Sequence, residues 1–186
     1  MTRLLQAVLG TFLVFSIAVG DEPAKTAASV KVGDKAPVFK FKDQTGKTID
    51  LAELFAKGPV LVRLTCGCSG CDKELAYFQE IDAAYKKAGL TSVAIFKEAD
   101  DKVAKYAADK KINMLYGVDT KGTSWKVFQT QKMPSNILIG KGGEIIHIAE
   151  GCDTTGFLAK KVSERIAKTL ETTAVDVQKK VVEKQK

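Results

Sequence analysis

Residues Leu64–Glu74, LTCGCSGCDKE, place three of the chain's four cysteines within six positions. They follow an apolar run, Pro59–Leu64, that reads as a buried strand. After them Leu75, Phe78, Ile81 and Tyr85 recur at helical spacing, so the cysteines occupy a turn between a strand and an amphipathic helix. Cys68 and Cys71 stand in a C-x-x-C arrangement. That spacing lets a thiolate at the first turn of a helix attack a disulfide, while a second thiol one turn further on resolves the mixed intermediate.

The chain has 186 residues, of which 45% are hydrophobic, enough for one domain with a sizeable core but not for two ordinary ones. Residues 1–20, MTRLLQAVLGTFLVFSIAVG, join one cation to an apolar run and carry small residues at Ala18 and Gly20, the pattern of a secretory signal peptide or an N-terminal anchor. The expected location is extracytoplasmic, in a periplasm or an equivalent compartment, with the protein soluble or N-terminally anchored. An oxidising compartment makes the state of the four thiols a question in its own right. The net charge of +7 comes from lysines spread along helices without interleaved aromatics, which reads as a solvated surface and not as a nucleic-acid groove.

Residues 21–31 read as a linker, and the alternating segments Phe39–Lys42 and Lys47–Leu51 as a hairpin. A short helix over Leu51–Lys57 precedes the strand Pro59–Thr65, and the long helix runs to about Lys87, where Gly89 stops it. Further strands are expected at Thr91–Phe96, Met114–Val118, Asn136–Ile139 and Glu144–Ala149, with helices at Asp100–Lys111 and Thr154–Leu170. Strands alternating with helices, closed by a hairpin, describe an α/β fold with a mixed central sheet flanked by helices. The Lys-rich tail, 171–186, is read as a frayed extension.

Taken together, Val32–Pro37, Gly46-Lys47, CSGC, Pro134 before a strand and Gly142-Gly143 resemble the thioredoxin-like thiol:disulfide oxidoreductases of the TlpA and ResA branch, relatives of the AhpC/TSA redoxins. The resemblance covers about residues 32–170 and implies a thioredoxin-like fold with an N-terminal β-hairpin extension. It makes Cys68 the exposed nucleophile, which agrees with the thiolate-favouring field of a helix N-terminus. It makes Cys71 the resolving thiol and Pro134 a cis-proline beside the motif. Glu74 becomes a carboxylate near the two sulfurs that tunes them or moves protons, so Glu74→Gln is expected to alter thiol titration more than stability. Protein thiols or disulfides and a redox partner are the implied partners, with no cofactor and no resident metal.

The sequence departs from this pattern at Gly67, where tryptophan is usual, and at Arg63, a charge in a normally buried strand position. Proline is missing between the cysteines, where Ser69-Gly70 stands, and after Glu74, where Ala76 stands. Cys66 and Cys152 are extra. The hairpin topology returns Cys152 to the C-x-x-C end of the sheet, which leaves three readings. A structural Cys66–Cys152 disulfide would close a loop of about 86 residues, worth roughly 4–5 kcal/mol in the chain-entropy model. The four thiols could instead hold Cu(I) or Zn(II), or remain unpaired or relay thiols. His147, among Ile145, Ile146 and Ile148, reads as a packed residue and not a ligand. Two other functions stay open: a peroxiredoxin-like antioxidant peroxidase, for which Thr65 lies three residues before Cys68 but no arginine stands near Pro134, and a copper carrier on the same fold.

Overall fold

The computed structural model describes residues 29–184 and Lys186, so the signal or anchor over 1–20 and most of the linker lie outside the described residues. Seven strands, β1 (Lys40–Asp43), β2 (Thr48–Asp50), β3 (Val60–Thr65), β4 (Thr91–Phe96), β5 (Leu115–Val118), β6 (Ser135–Ile139) and β7 (Ile145–Glu150), form one mixed sheet in the order β2-β1-β5-β4-β3-β6-β7. The central strand β3 runs parallel to β4 and antiparallel to β6. Every residue of β3 is buried, as expected for a strand covered on both faces. Its period-two alternation sends Val60, Val62 and Leu64 into one core and Leu61 and Arg63 to the opposite face.

The first core lies under α1 (Leu51–Lys57) and α4 (Thr123–Val127), with Phe39, Phe41, Trp125 and Phe128 packed against the sheet. The second lies under α2 (Ser69–Tyr85), α5 (Phe157–Thr169) and α6 (Val177–Lys184), and Val103 of α3 (Asp100–Asp109) joins it. Asp50 caps α1 by accepting from the Ala52 N–H at 2.9 Å. Gly89 closes the turn after α2 in a left-handed conformation, φ +105°, as the stop signal required.

Three segments differ from the sequence reading, the first being Thr123–Val127, which forms α4 where no helix was expected. Helix α5 begins at Phe157 and not at Thr154, because the Asp153 carboxylate takes the N–H groups of Thr155 at 2.9 Å and Leu158 at 2.7 Å and makes a loop of the intervening residues. The tail is docked and not frayed. Val177 and Val181, one helical turn apart, are buried against the domain, while the Val175 N–H donates to the Tyr85 hydroxyl at 2.8 Å and Ser163 Oγ donates to the Val175 carbonyl at 2.7 Å. Among the described residues no helix is long and apolar enough to cross a membrane.

Candidate active site

The strand alternation that buries Arg63 also aims it at α2. Its guanidinium lies over the Phe78 ring, 4.3 Å from the centroid, and is 2% exposed. It donates to Asn136 Oδ1 at 2.8 Å, to Glu74 Oε2 at 3.0 Å and to the Cys71 carbonyl at 3.3 Å. The second Glu74 oxygen accepts the Asp153 N–H at 2.7 Å, and Asn136 Nδ2 donates to the Ala149 carbonyl at 3.4 Å. The charge that looked out of place in the sequence is thus half of a buried, fully partnered ion pair. The partner is Glu74, both of whose oxygens are committed beneath the site and not turned to the nucleophile. Its negative charge acts on Cys152, whose thiol is pushed up by burial first and by the Glu74 carboxylate second.

Above this floor stand the sulfurs. Cys68 is the N-cap of α2, with extended backbone and an exposed side chain that makes no capping bond, so the first N–H groups of the helix face its sulfur. Cys66 Sγ lies 2.6 Å from Cys68 Sγ and 3.4 Å from Cys71 Sγ. The Cys66 thiol, donating to Cys68, is the main cause of a lowered Cys68 pKa, followed by the Cys71 backbone N–H. Cys66 pays the converse: burial, then this same hydrogen bond, pushes its own pKa up to about 12. Cys71 is 3% exposed.

Of the three readings of the extra cysteines, the Cys66–Cys152 disulfide does not occur in the structure, where all four cysteines are free. Topology does return Cys152 to this end of the sheet, but to the Gly70 side of the turn, where its Sγ lies 3.2 Å from the Gly70 carbonyl. Cys66 instead faces the two thiols of the C-x-x-C motif. The turn at the start of α2 decides between these neighbours, and sequence spacing carries no trace of it.

Gly67, in the place of the usual tryptophan, opens a space that Tyr106 of α3 fills: a Cβ built on Gly67 would meet the Tyr106 ring at 3.6 Å. The Tyr106 hydroxyl donates to Asp72 at 3.0 Å, and the ring meets Phe96 edge-on at 5.7 Å. A groove of about 410 Å³ runs beside Cys68, lined by Gly67, Phe96, Lys102, Tyr106 and Asp109. The Met133–Pro134 bond is cis, and Pro134 leads into β6 at the end where Ser135 pairs with Leu64, next to the cysteine turn. Thr65 is buried and its hydroxyl donates to the Cys66 carbonyl at 3.2 Å, away from the thiols. An arginine does stand near Pro134 in space, since Arg63 pairs in register with Asn136, but it is tied to Glu74. His147 is half-buried on β7, its pKa lowered by burial and then by Arg165, and it does not belong to the sulfur cluster.

A parallel strand pair feeding a C-x-x-C at a helix N-terminus, opposite a cis-proline, defines a thioredoxin-like thiol–disulfide oxidoreductase. The relatives agree. Residues 32–148 match the AhpC/TSA family, and the chain belongs to it, in a ResA-like branch. A thiol-disulfide oxidoreductase ResA from Bacillus cereus is 30% identical over 139 residues, covering 70% of this chain and 79% of that protein. A second ResA, from Bacillus thuringiensis subsp. konkukian, is 29% identical over 126 residues, covering 67% of this chain and 73% of its own. Among solved structures, one described as a thiol:disulfide interchange protein DsbE from Chlorobium tepidum superposes with a TM-score of 0.70 at 22% identity, over 76% of this chain and 99% of that one. The peroxidoxin BcpB from Mycobacterium tuberculosis has the same fold, with a TM-score of 0.63 at 23% identity over 76% and 96% of the two chains.

Proposed function

We propose that the protein is an exported oxidoreductase that exchanges disulfides of protein substrates through Cys68 and Cys71. The observation that carries this reading is the contrast between the two sulfurs: Cys68 is exposed at the helix N-cap with its pKa lowered, and Cys71 is buried one turn behind it. The Cys68 thiolate attacks one sulfur of a substrate disulfide, and the other substrate sulfur leaves and takes up a proton. Cys71 then attacks the Cys68 sulfur of the mixed disulfide and releases the second substrate thiol. The electron pair of the Cys68–Cys71 dithiol passes to the substrate, and its two protons end on the substrate sulfurs. The groove beside Cys68, walled by Tyr106 and Phe96, is the place for the substrate chain. Pro134, which has no N–H of its own, leads into β6 beside the cysteine turn and leaves backbone there for a substrate chain to meet.

The test is reduction of insulin by the dithiol form. Cys68→Ser is expected to abolish it and Cys71→Ser to accumulate a mixed disulfide visible on a non-reducing gel; full activity in Cys68→Ser would sink the assignment. Export is tested by fusing residues 1–31 to a phosphatase that folds only outside the cytoplasm, where an inactive fusion would count against it.

A further inference from the structure

Disulfide exchange uses two of the three sulfurs at the rim, and the third has no part in that electron transfer. Cys66, Cys68 and Cys71 have their Sγ atoms all within 4.8 Å of one another. They come from the end of β3, the N-cap of α2 and its first turn, so the backbone on both sides of the set is anchored in regular structure. From this geometry we propose that the reduced protein binds one copper(I) ion in a three-sulfur site made by Cys66, Cys68 and Cys71.

Three features select this ion. The donors are thiolates only, which suits soft metals and disfavours magnesium, calcium and manganese. A metal–sulfur bond of about 2.3 Å in a trigonal set requires sulfurs about 4 Å apart, so Cys66 and Cys71, at 3.4 Å, need open only slightly, while Cys68, 2.6 Å from Cys66, must swing away by more than about 1 Å, a rotation open to its exposed side chain. Zinc sites of this kind are almost always four-coordinate, and the described residues add no fourth sulfur, imidazole or carboxylate to the cluster. Cys152 is turned to the Gly70 carbonyl, and His147 lies on β7 outside the cluster. Copper(I), which is satisfied by few thiolate ligands, needs no donor beyond these three.

The surroundings suit the charge. Binding releases the thiol protons and leaves a site with net negative charge. The helix N-terminus beneath Cys68 offsets it. Cys68 keeps one side of the site open, so a thiolate from a partner can reach the ion. Metal binding and the Cys68–Cys71 disulfide exclude each other because they use the same sulfurs, so copper occupies the dithiol form only.

The experiment titrates the fully reduced protein anaerobically with copper(I) against a chromogenic copper(I) chelator, with native mass spectrometry for stoichiometry and X-ray absorption for the ligand shell. One copper per chain in a shell of three sulfurs is expected, with none bound by the oxidised form. Cys66→Ala should weaken binding by more than the roughly 10–100-fold that loss of an outer-shell partner costs, and Cys66→Ser should behave alike. Cys152→Ala should leave affinity unchanged. Circular dichroism on each variant checks that it folds. The site is overturned by undiminished affinity in folded Cys66→Ala, by a four-sulfur shell lost in Cys152→Ala, or by no copper on protein in which alkylation counts four free thiols. Insulin reduction by the metal-free wild type is read separately, so failure of the copper site leaves the oxidoreductase reading standing.

Discussion

The floor and the rim of the site lie within one helical turn of each other and are built on opposite principles. The floor is a closed set of charges and amides: Arg63, Glu74, Asn136 and the Asp153 backbone satisfy one another, and little of them reaches solvent. The rim consists of sulfurs, with Cys68 pushed down mainly by the Cys66 thiol and Cys66 pushed up by burial first and by that same hydrogen bond second. Burying a paired charge stabilises mainly by not being left unpaired, whereas a shared thiol proton is loose and tunable. The difference assigns stability to the floor and reactivity to the rim.

The largest test of this division is Arg63→Met. It leaves the Glu74 carboxylate buried without its cation and should cost about 3–5 kcal/mol in urea unfolding of the reduced protein. The double variant Arg63→Met, Glu74→Leu should recover much of that loss, since it removes both charges. A single-variant loss below about 1 kcal/mol would show that the floor does not carry the stability assigned to it.

A loss of about 3 kcal/mol, at the low end of the same range, is expected for Glu74→Gln, which keeps one oxygen as an acceptor but leaves the Arg63 cation buried without its counter-charge. The sequence alone suggested that this change would mainly disturb the catalytic thiols; the geometry predicts the reverse order. Cys152, whose pKa Glu74 helps to raise, should then ionise at lower pH, while Cys68 keeps its alkylation midpoint. A shift at Cys68 as large as that at Cys152 would erase the boundary between floor and rim.

The smallest change in stability belongs to Cys66→Ala, expected to stay within about 0.5 kcal/mol of wild type. Its effect is on titration. The Cys66 thiol is the main cause of the lowered Cys68 pKa, so removing that donor moves the midpoint up and leaves less thiolate at neutral pH. Iodoacetamide alkylation of Cys68 against pH should show the rise, and an unmoved curve would mean that the helix N-terminus alone sets the thiolate.

Most of the fold was legible in the chain. Alternation and length located the strands, and Gly89 and the glycine pair before β7 marked where elements stop and turn, because these are local preferences of single residues. The C-x-x-C motif was legible as residue type at fixed spacing, while the cis form of the Met133–Pro134 bond was implied by the family resemblance. Arg63 could be read only as an anomaly, since its partners Glu74 and Asn136 lie 11 and 73 residues away. Helix α6 was equally hard to place, because a stripe as short as Val177 and Val181 has meaning only once α2 and α5 supply a surface for it.

The order of elements, the C-x-x-C pair of Cys68 and Cys71 and the helix start that places Cys68 at its N-cap follow from backbone preferences and spacing, and so were readable in the chain alone. The neighbours of Cys66, the partner of Arg63 and the side of the turn to which Cys152 returns were decided only by tertiary structure. Those are matters of direction: a strand residue's face, a loop's turn and a hairpin's register act together over distances at which one-dimensional spacing no longer constrains where a side chain points.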